Sequence, residues 1–191
     1  MIKDKQLKGK IGIEIKQDIL ENHREAVYLG IGSNIGNRII NINNACYLLR
    51  DFCSIIKISS IYETSSWPNK NFPKYLNVIL KCSTSLDPFS LLSNIKNIEK
   101  KLGRKTKKKN FPRTCDIDII DYNGTIISNK DLTIPHPKTH LRNFVIYPLK
   151  EIEPNWIHPI FNKKIDSFFI KLDKSSHNEI TRLGKSDIMQ L

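Results

Sequence analysis

The decapeptide FPRTCDIDII, residues 111–120, sets an arginine and two aspartates inside what otherwise reads as a buried strand. Burying a charge is costly unless a partner neutralises it. Successive strand side chains point to opposite faces, so Asp116 and Asp118 project to one side and Ile117 and Ile119 to the other. Two adjacent carboxylates repel unless a cation lies between them. Mg²⁺ favours such a site, taking a few carboxylates and completing its shell with substrate phosphates and water. Arg113, held by Pro112, precedes the acids, and its planar fork suits phosphate oxygens. Residues 100–113, KKLGRKTKKKNFPR, add eight Lys or Arg and no acid. One reading is a metal-nucleotide site. The other is a solvated basic loop beside an exposed pair of acids matched by lysines.

Two further segments carry candidate chemistry. In LGIGSNIGN, Gly30, Gly32 and Gly36 sit where a strand gives way to a helix, and glycine there lets a ligand approach the backbone. Their spacing is not that of the dinucleotide fingerprint, and there is no Walker A lysine, so Rossmann and P-loop readings fail. LTIPHPKTHLRNF, residues 132–144, supplies His136, His140 and Arg142. His136 lies between two prolines, in a stiff segment that aims it, and a neutral imidazole can donate to a phosphate oxygen.

The elements that must position these residues follow from pattern. Residues 26–33 form an apolar run ending in glycines, a strand. Ile39, Ile42, Cys46 and Leu49 recur at helical spacing. Residues 53–64 and 75–85 are rich in β-branched residues and read as the second and third strands. Between them, residues 65–74 form a loop that carries Trp67 and Phe72, which loops usually avoid. Asp87 as N-cap and Pro88 at the first helical position open a second helix, with Leu92, Ile95, Ile98 and Leu102 on its apolar face and Gly103 at its end. Residues 114–122 make the fourth strand, Asn123-Gly124 a turn, and 125–128 a return strand. A third helix over 143–152 would carry Pro148 in its middle, and a short helix is expected near 166–172. The core order β-α-β-β-α-β is the ferredoxin-like arrangement, an α+β fold whose antiparallel sheet carries its helices on one face. That order is silent on activity.

The 191 residues suit one domain, with 39% hydrophobic residues to fill a core and a formal net charge of +12 that calls for a polyanionic partner. No apolar run is long enough to span a bilayer, and the first twenty residues lack the apolar centre of a signal peptide. Cys46, Cys53, Cys82 and Cys115 form no C-x-x-C pair and read as buried apolar residues. A cytoplasmic address is expected, with residues 1–26 a partly disordered extension, 27–172 the domain and 173–191 a tail.

The motifs GSNIGNR, SSIYET, YLN, PRTCDIDII, LTIPHP and LRNFVIYPL, in this order and spacing, resemble the 6-hydroxymethyl-7,8-dihydropterin pyrophosphokinase family over about residues 27–160. The resemblance implies a ferredoxin-like fold and ATP-dependent transfer of a diphosphoryl group to the pterin hydroxymethyl oxygen in folate synthesis, with release of AMP. It implies two Mg²⁺ ions on Asp116 and Asp118. It places Glu99, Arg104, Arg113, His136 and Arg142 around ATP, with Arg113, Asp116, Asp118, His136 and Arg142 as the catalytic set. Gly32, Thr64, Tyr75, Asn77, Asp116 and Phe144 correspond to pterin-site positions. A flat pterin stacks on an aromatic such as Phe144 or Tyr75, and an Asn side chain reads its edge. Segments 65–74 and 104–112 look like mobile lids. The sequence departs from the family where Asn110-Phe111 replace the common Trp-Gly, making Phe111 a candidate cap, and at Pro137, where other members carry Tyr.

The expectation is therefore a monomeric Mg-ATP-dependent diphosphokinase that binds small molecules, neither nucleic acid nor membrane. Two alternatives stand beside it: an RNA-binding module on the same fold, favoured by the net charge, and a Mg²⁺-dependent nuclease using D-x-D. Against the first, no aromatic run of the RNP1 type lies on a central strand.

Overall fold

The computed structural model describes residues 25–66, 69–104, 111–172 and 174–184, with Lys174 and Ser175 described by their backbone only. The expectations for Trp67, for basic residues 105–110 and for residues 1–24 and 185–191 lie outside the described residues.

β1 (Glu25–Ser33) and β4 (Tyr75–Thr84) are the central strands and are buried along most of their length. They pair antiparallel, and β5 (Asp116–Tyr122) pairs antiparallel with the free side of β1. The stretch expected as one strand over 53–64 is two, β2 (Ser54–Ile58) and β3 (Ile61–Thr64), both paired with β4. The break falls at Ser59-Ser60, where the Ser59 N–H still donates to the Ile79 carbonyl but side chains supply the remaining bonds. The Ser59 hydroxyl accepts from the Ile79 N–H, and the Ser60 N–H and hydroxyl both donate to Glu151. The return strand β6 (Ile127–Ser128) pairs with β7 (Thr133–Ile134) in a separate small sheet.

One face of the main sheet, through Val27, Leu29, Ile31, Val78, Leu80, Ile117 and Ile119, packs on α1 (Arg38–Leu49) and α2 (Pro88–Lys101). The second helix is capped as its sequence predicts, Asp87 accepting from the N–H groups of Phe89 and Ser90, and the first is capped by Asn37, which accepts from the Ile40 N–H. Gly36, at φ +68°, makes the left-handed turn that lets β1 lead into α1. The four cysteines are free and buried, as expected of small apolar residues.

The opposite face differs from the one-sided expectation. Tyr28, Ile79 and Ile120 on it are covered by α3 (Asn143–Ile152), through Val145, Ile146, Leu149 and Ile152. Trp156 and α4 (Ile165–Phe169) extend this second core. A short hairpin of β8 (Ile157–His158) and β9 (Lys163–Lys164) leads into α4. Pro148 lies inside α3 and is buried, its ring part of the helix's packed surface. Residues read in the sequence as tail form α5 (Lys174–Asn178) and β10 (Ile180–Gly184), and β10 pairs with β3 to give the sheet order β10-β3-β4-β1-β5. α3 covers only part of its face. The stretch left open carries Tyr75, Asn77, Gly32, Asp116 and Asp118.

Candidate active site

The open stretch is organised by strand register. Gly32 is the partner of Asn77 on one side and of Asp116 on the other, and Gly30 is the partner of Asp118. Asn77, Gly32 and Asp116 therefore form a row across three strands, each about 4.8 Å from the next. Its middle member has no side chain, so a gap separates an amide from a carboxylate. A Cβ on Gly32 would lie 3.1 Å from Asn77 Oδ1 and 3.4 Å from Tyr75 Cδ1. Only glycine leaves that floor flat.

On the amide side, Asn77 Nδ2 donates to Thr64 Oγ1 at 2.9 Å, and both residues are buried. That bond fixes which way the amide points and leaves Oδ1 toward Gly32. Tyr75 stands beside them, its hydroxyl pushed above the usual phenol range by burial. Phe144, at the start of α3, is half-buried, with the Arg142 guanidinium 5.3 Å from its ring centre.

On the acid side, Asp116 and Asp118 share one face while Ile117 and Ile119 enter the helical core, as the strand period requires. Asp116 Oδ1 accepts from Arg104 Nη1 and from Arg113 Nη1, each at 2.9 Å. Asp118 Oδ2 accepts from Arg142 Nη1 at 3.1 Å, with His136 Nε2 3.9 Å away. Burial first, and the charge of Asp116 second, push the Asp118 carboxyl above its ordinary range, against the pull of Arg142. Glu99, on α2, is buried. It accepts from the Ile117 N–H on the outer edge of β5 and from Arg104. Burial pushes its carboxyl up. Glu99 therefore ties α2, β5 and Arg104 together. His136 Nδ1 accepts from the Lys138 N–H, which leaves the ring proton on Nε2 facing Asp118 and Arg142. Burial, then Arg142, lower its pKa to about 4, so the ring is neutral at pH 7.

The structure thus brings Glu99, Arg104, Arg113, Asp116, Asp118, His136 and Arg142 into one polar cluster, and Gly32, Thr64, Tyr75 and Asn77 together beside it, with Phe144 joined to the cluster through Arg142. His140, singled out beside them, lies elsewhere, among Phe161, Phe168 and His158. Two sets of residues went unread in the sequence. Asn34 is buried, and its side chain donates to Pro73 O and Ser66 Oγ and accepts from the Arg113 N–H at 2.7 Å. It binds the loop before β4 to the segment before β5. Its only signal was its place directly after the glycine strand. Asn129, Asp131, Leu132 and Thr133, with Leu92 of α2, line a cleft of about 260 Å³ that Asp118 and His136 also face. The first four gave no signal of this, since a short turn and a two-residue strand carry no readable period.

The donor set fits Mg²⁺. Among the described residues no three His, Cys, Asp or Glu side chains form a metal cage. Two hard carboxylates on one face, held by arginines that phosphates can attract away, suit a cation whose remaining ligands come with the substrate.

A family model described as 7,8-dihydro-6-hydroxymethylpterin-pyrophosphokinase (HPPK) matches residues 28–154. A relative from Aquifex aeolicus, a 2-amino-4-hydroxy-6-hydroxymethyldihydropteridine pyrophosphokinase, is 49% identical over 142 residues, covering 74% of this chain and 89% of its own. A Bacillus subtilis protein of the same name is 39% identical over 127 residues, covering 65% of this chain and 76% of its own. A solved Plasmodium falciparum HPPK-DHPS, wild type with SDX-DHP, superposes with a TM-score of 0.66 at 19% identity, over 83% of this chain and 47% of that one. At that identity the likeness bears on the fold alone, and this chain spans about half the length of the solved chain.

Proposed function

This chain belongs to the 7,8-dihydro-6-hydroxymethylpterin-pyrophosphokinase family, and we propose that it transfers a diphosphoryl group from ATP to the hydroxymethyl oxygen of 6-hydroxymethyl-7,8-dihydropterin, a step of folate synthesis, releasing AMP. The observation that carries the reading is the row Asn77–Gly32–Asp116, which sets a pterin-reading amide across a side-chain-free gap from a phosphate-and-metal cluster.

Each residue has work in that reaction. Asp116 and Asp118 would hold the two Mg²⁺ ions, which when bound would neutralise phosphate charge and acidify the attacking hydroxyl. Arg104 and Arg113 exchange Asp116 for phosphate oxygens, and Arg142 likewise leaves Asp118. His136, neutral, donates its Nε2 proton to a phosphate oxygen without adding charge. Glu99 keeps Arg104 beside the strand. Thr64 and Asn77 read the pterin edge, Gly32 gives it room, and Phe144 and Tyr75 bracket its faces. The hydroxymethyl oxygen attacks the β-phosphorus as the bond from that phosphorus to the α–β bridging oxygen breaks. The leaving AMP keeps that oxygen, and the metal-acidified hydroxyl gives up its proton with the Asp116 carboxylate nearby. Positioning and charge compensation supply most of the rate, as in other phosphoryl transfers.

In this reading residues 27–172 are the catalytic domain, residues 1–26 and 173–191 flank it, and the protein works as a cytoplasmic monomer. Four free, buried cysteines suit a reducing compartment. Among the described residues no helix is long and apolar enough to cross a membrane. The test is nucleotide analysis after incubation with Mg-ATP. AMP formed in equal amount with pterin diphosphate, and only when the pterin is present, is the expected result. ADP as the product, or AMP formed without pterin, overturns it.

A further inference from the structure

Residues 176–184 lie beyond the stretch matched by the family model, yet they touch the pterin side of the site at three places. Ile180 of β10 is the register partner of Thr64, whose hydroxyl orients Asn77. Asn143 Nδ2 donates to the Ser176 carbonyl at 2.7 Å, while Asn143 Oδ1 accepts from the Phe144 N–H at 2.7 Å. One amide therefore joins the C-terminal segment to the backbone of the aromatic residue at the pocket wall. Glu179 pairs with Lys70, in the loop whose Phe72 ring lies 5.8 Å from that of Phe111.

Further contacts anchor the segment itself. Arg182 donates to Ser60 Oγ at 3.1 Å and to Glu151 at 3.2 Å, and the His177 ring meets Tyr147 and Phe169. A strand paired along a sheet edge and tied by several side-chain contacts is held as a support rather than left as a fraying end. The three ties reach β3, the start of α3 and the loop before β4, which are the three pieces of chain that surround the proposed pterin position.

We infer that residues 176–184 are a positioning element that sets the pterin pocket: through Asn143 they fix Phe144, and through Glu179 they hold the 69–72 loop at the pocket mouth. The inference rests on the diphosphokinase reading. It separates substrate from nucleotide, because the ties fall on the pterin wall.

The discriminating variant is Asn143→Asp in the full-length chain. An aspartate still accepts from the Phe144 N–H, but it turns an oxygen toward the Ser176 carbonyl and so breaks only the tie to the C-terminal segment. Calorimetry would measure binding of 6-hydroxymethyl-7,8-dihydropterin in Mg²⁺ with a non-hydrolysable ATP analogue, and binding of the analogue alone. The expected result is pterin binding about five- to tenfold weaker, the size of one lost hydrogen bond, with analogue binding within about twofold. Equal weakening of both ligands, or no change for pterin, overturns the inference. If Asn143→Asp does not fold, the charge swap decides. Lys70→Glu should weaken pterin binding about two- to fivefold, and adding Glu179→Lys should restore it; failure of that rescue overturns the inference. Wild-type protein that binds no pterin overturns the diphosphokinase reading and this inference with it. Pterin binding in wild type, unchanged in the variants, overturns this inference alone.

Discussion

Asp116→Asn should have opposite effects on two measurements. The Asp116 carboxylate accepts from two guanidinium groups at 2.9 Å, and both must turn to phosphate when ATP binds. An asparagine in its place keeps the shape and can still accept a hydrogen bond, but a neutral acceptor holds a guanidinium about half as strongly as a charged one. With charged hydrogen bonds worth about 1.5–3 kcal/mol each, and Asp116 partly exposed, releasing both arginines favours phosphate binding by about 1–2 kcal/mol. Metal-free ATP should therefore bind about five- to thirtyfold more tightly. Turnover should move the other way. Losing a Mg²⁺ ligand removes several kcal/mol of charge stabilisation, a fall of about a thousandfold or more. The fold should survive, because the Asp116 side chain is 29% exposed and no core volume is lost. Calorimetry of ATP binding in EDTA, AMP release with Mg²⁺ and pterin, and a melting curve test all three points. Weaker metal-free ATP binding in the variant, or turnover above about a tenth of wild type, would refute the reasoning that Asp116 both restrains the arginines and holds the metal.

Other changes should act on separate parts of the site or fold. Gly32→Ala puts a methyl group 3.1 Å from Asn77 Oδ1 and should weaken pterin binding at least tenfold, read by calorimetry, with ATP binding retained. Phe144→Ala should weaken pterin binding by about three- to tenfold, the worth of one aromatic stacking contact, and a fall in ATP affinity of the same size would count against the assignment. Stability should depend on pH through His158, which is buried and whose pKa is lowered to about 4, first by burial and then by His140. The unfolded chain takes up this proton near pH 6.5 and the folded chain only near 4, so stability rises with pH across that window and is lost as pH falls through it. The full contribution is about 3 kcal/mol. His136, lowered to about 4 as well, contributes over the same window, so His158→Gln should reduce the rise of the urea midpoint between pH 4 and 6.5 without abolishing it, and an unchanged slope would exclude His158 as a source.

The division between sequence and tertiary structure follows the range of the forces involved. The two-residue period of a strand is local, so the common face of Asp116 and Asp118 was legible before any fold was drawn. The Asp87 cap is local for the same reason, and the Asp87–Pro88 start of α2 could be read directly. The break at Ser59-Ser60 could not, because it depends on Glu151, ninety-one residues away in sequence. Nor could the role of Asn34, which exists only because the loops before β4 and β5 arrive beside it. Residues 174–184 read as a tail, since a five-residue edge strand has too short a pattern to announce itself, and β10 forms only where β3 offers a free edge. What tertiary structure alone decided is which part of the second sheet face stays open. α3 stops short of Gly32, Asn77 and the two aspartates because a helix buries apolar side chains, and that end of the face offers a glycine, an amide and carboxylates instead.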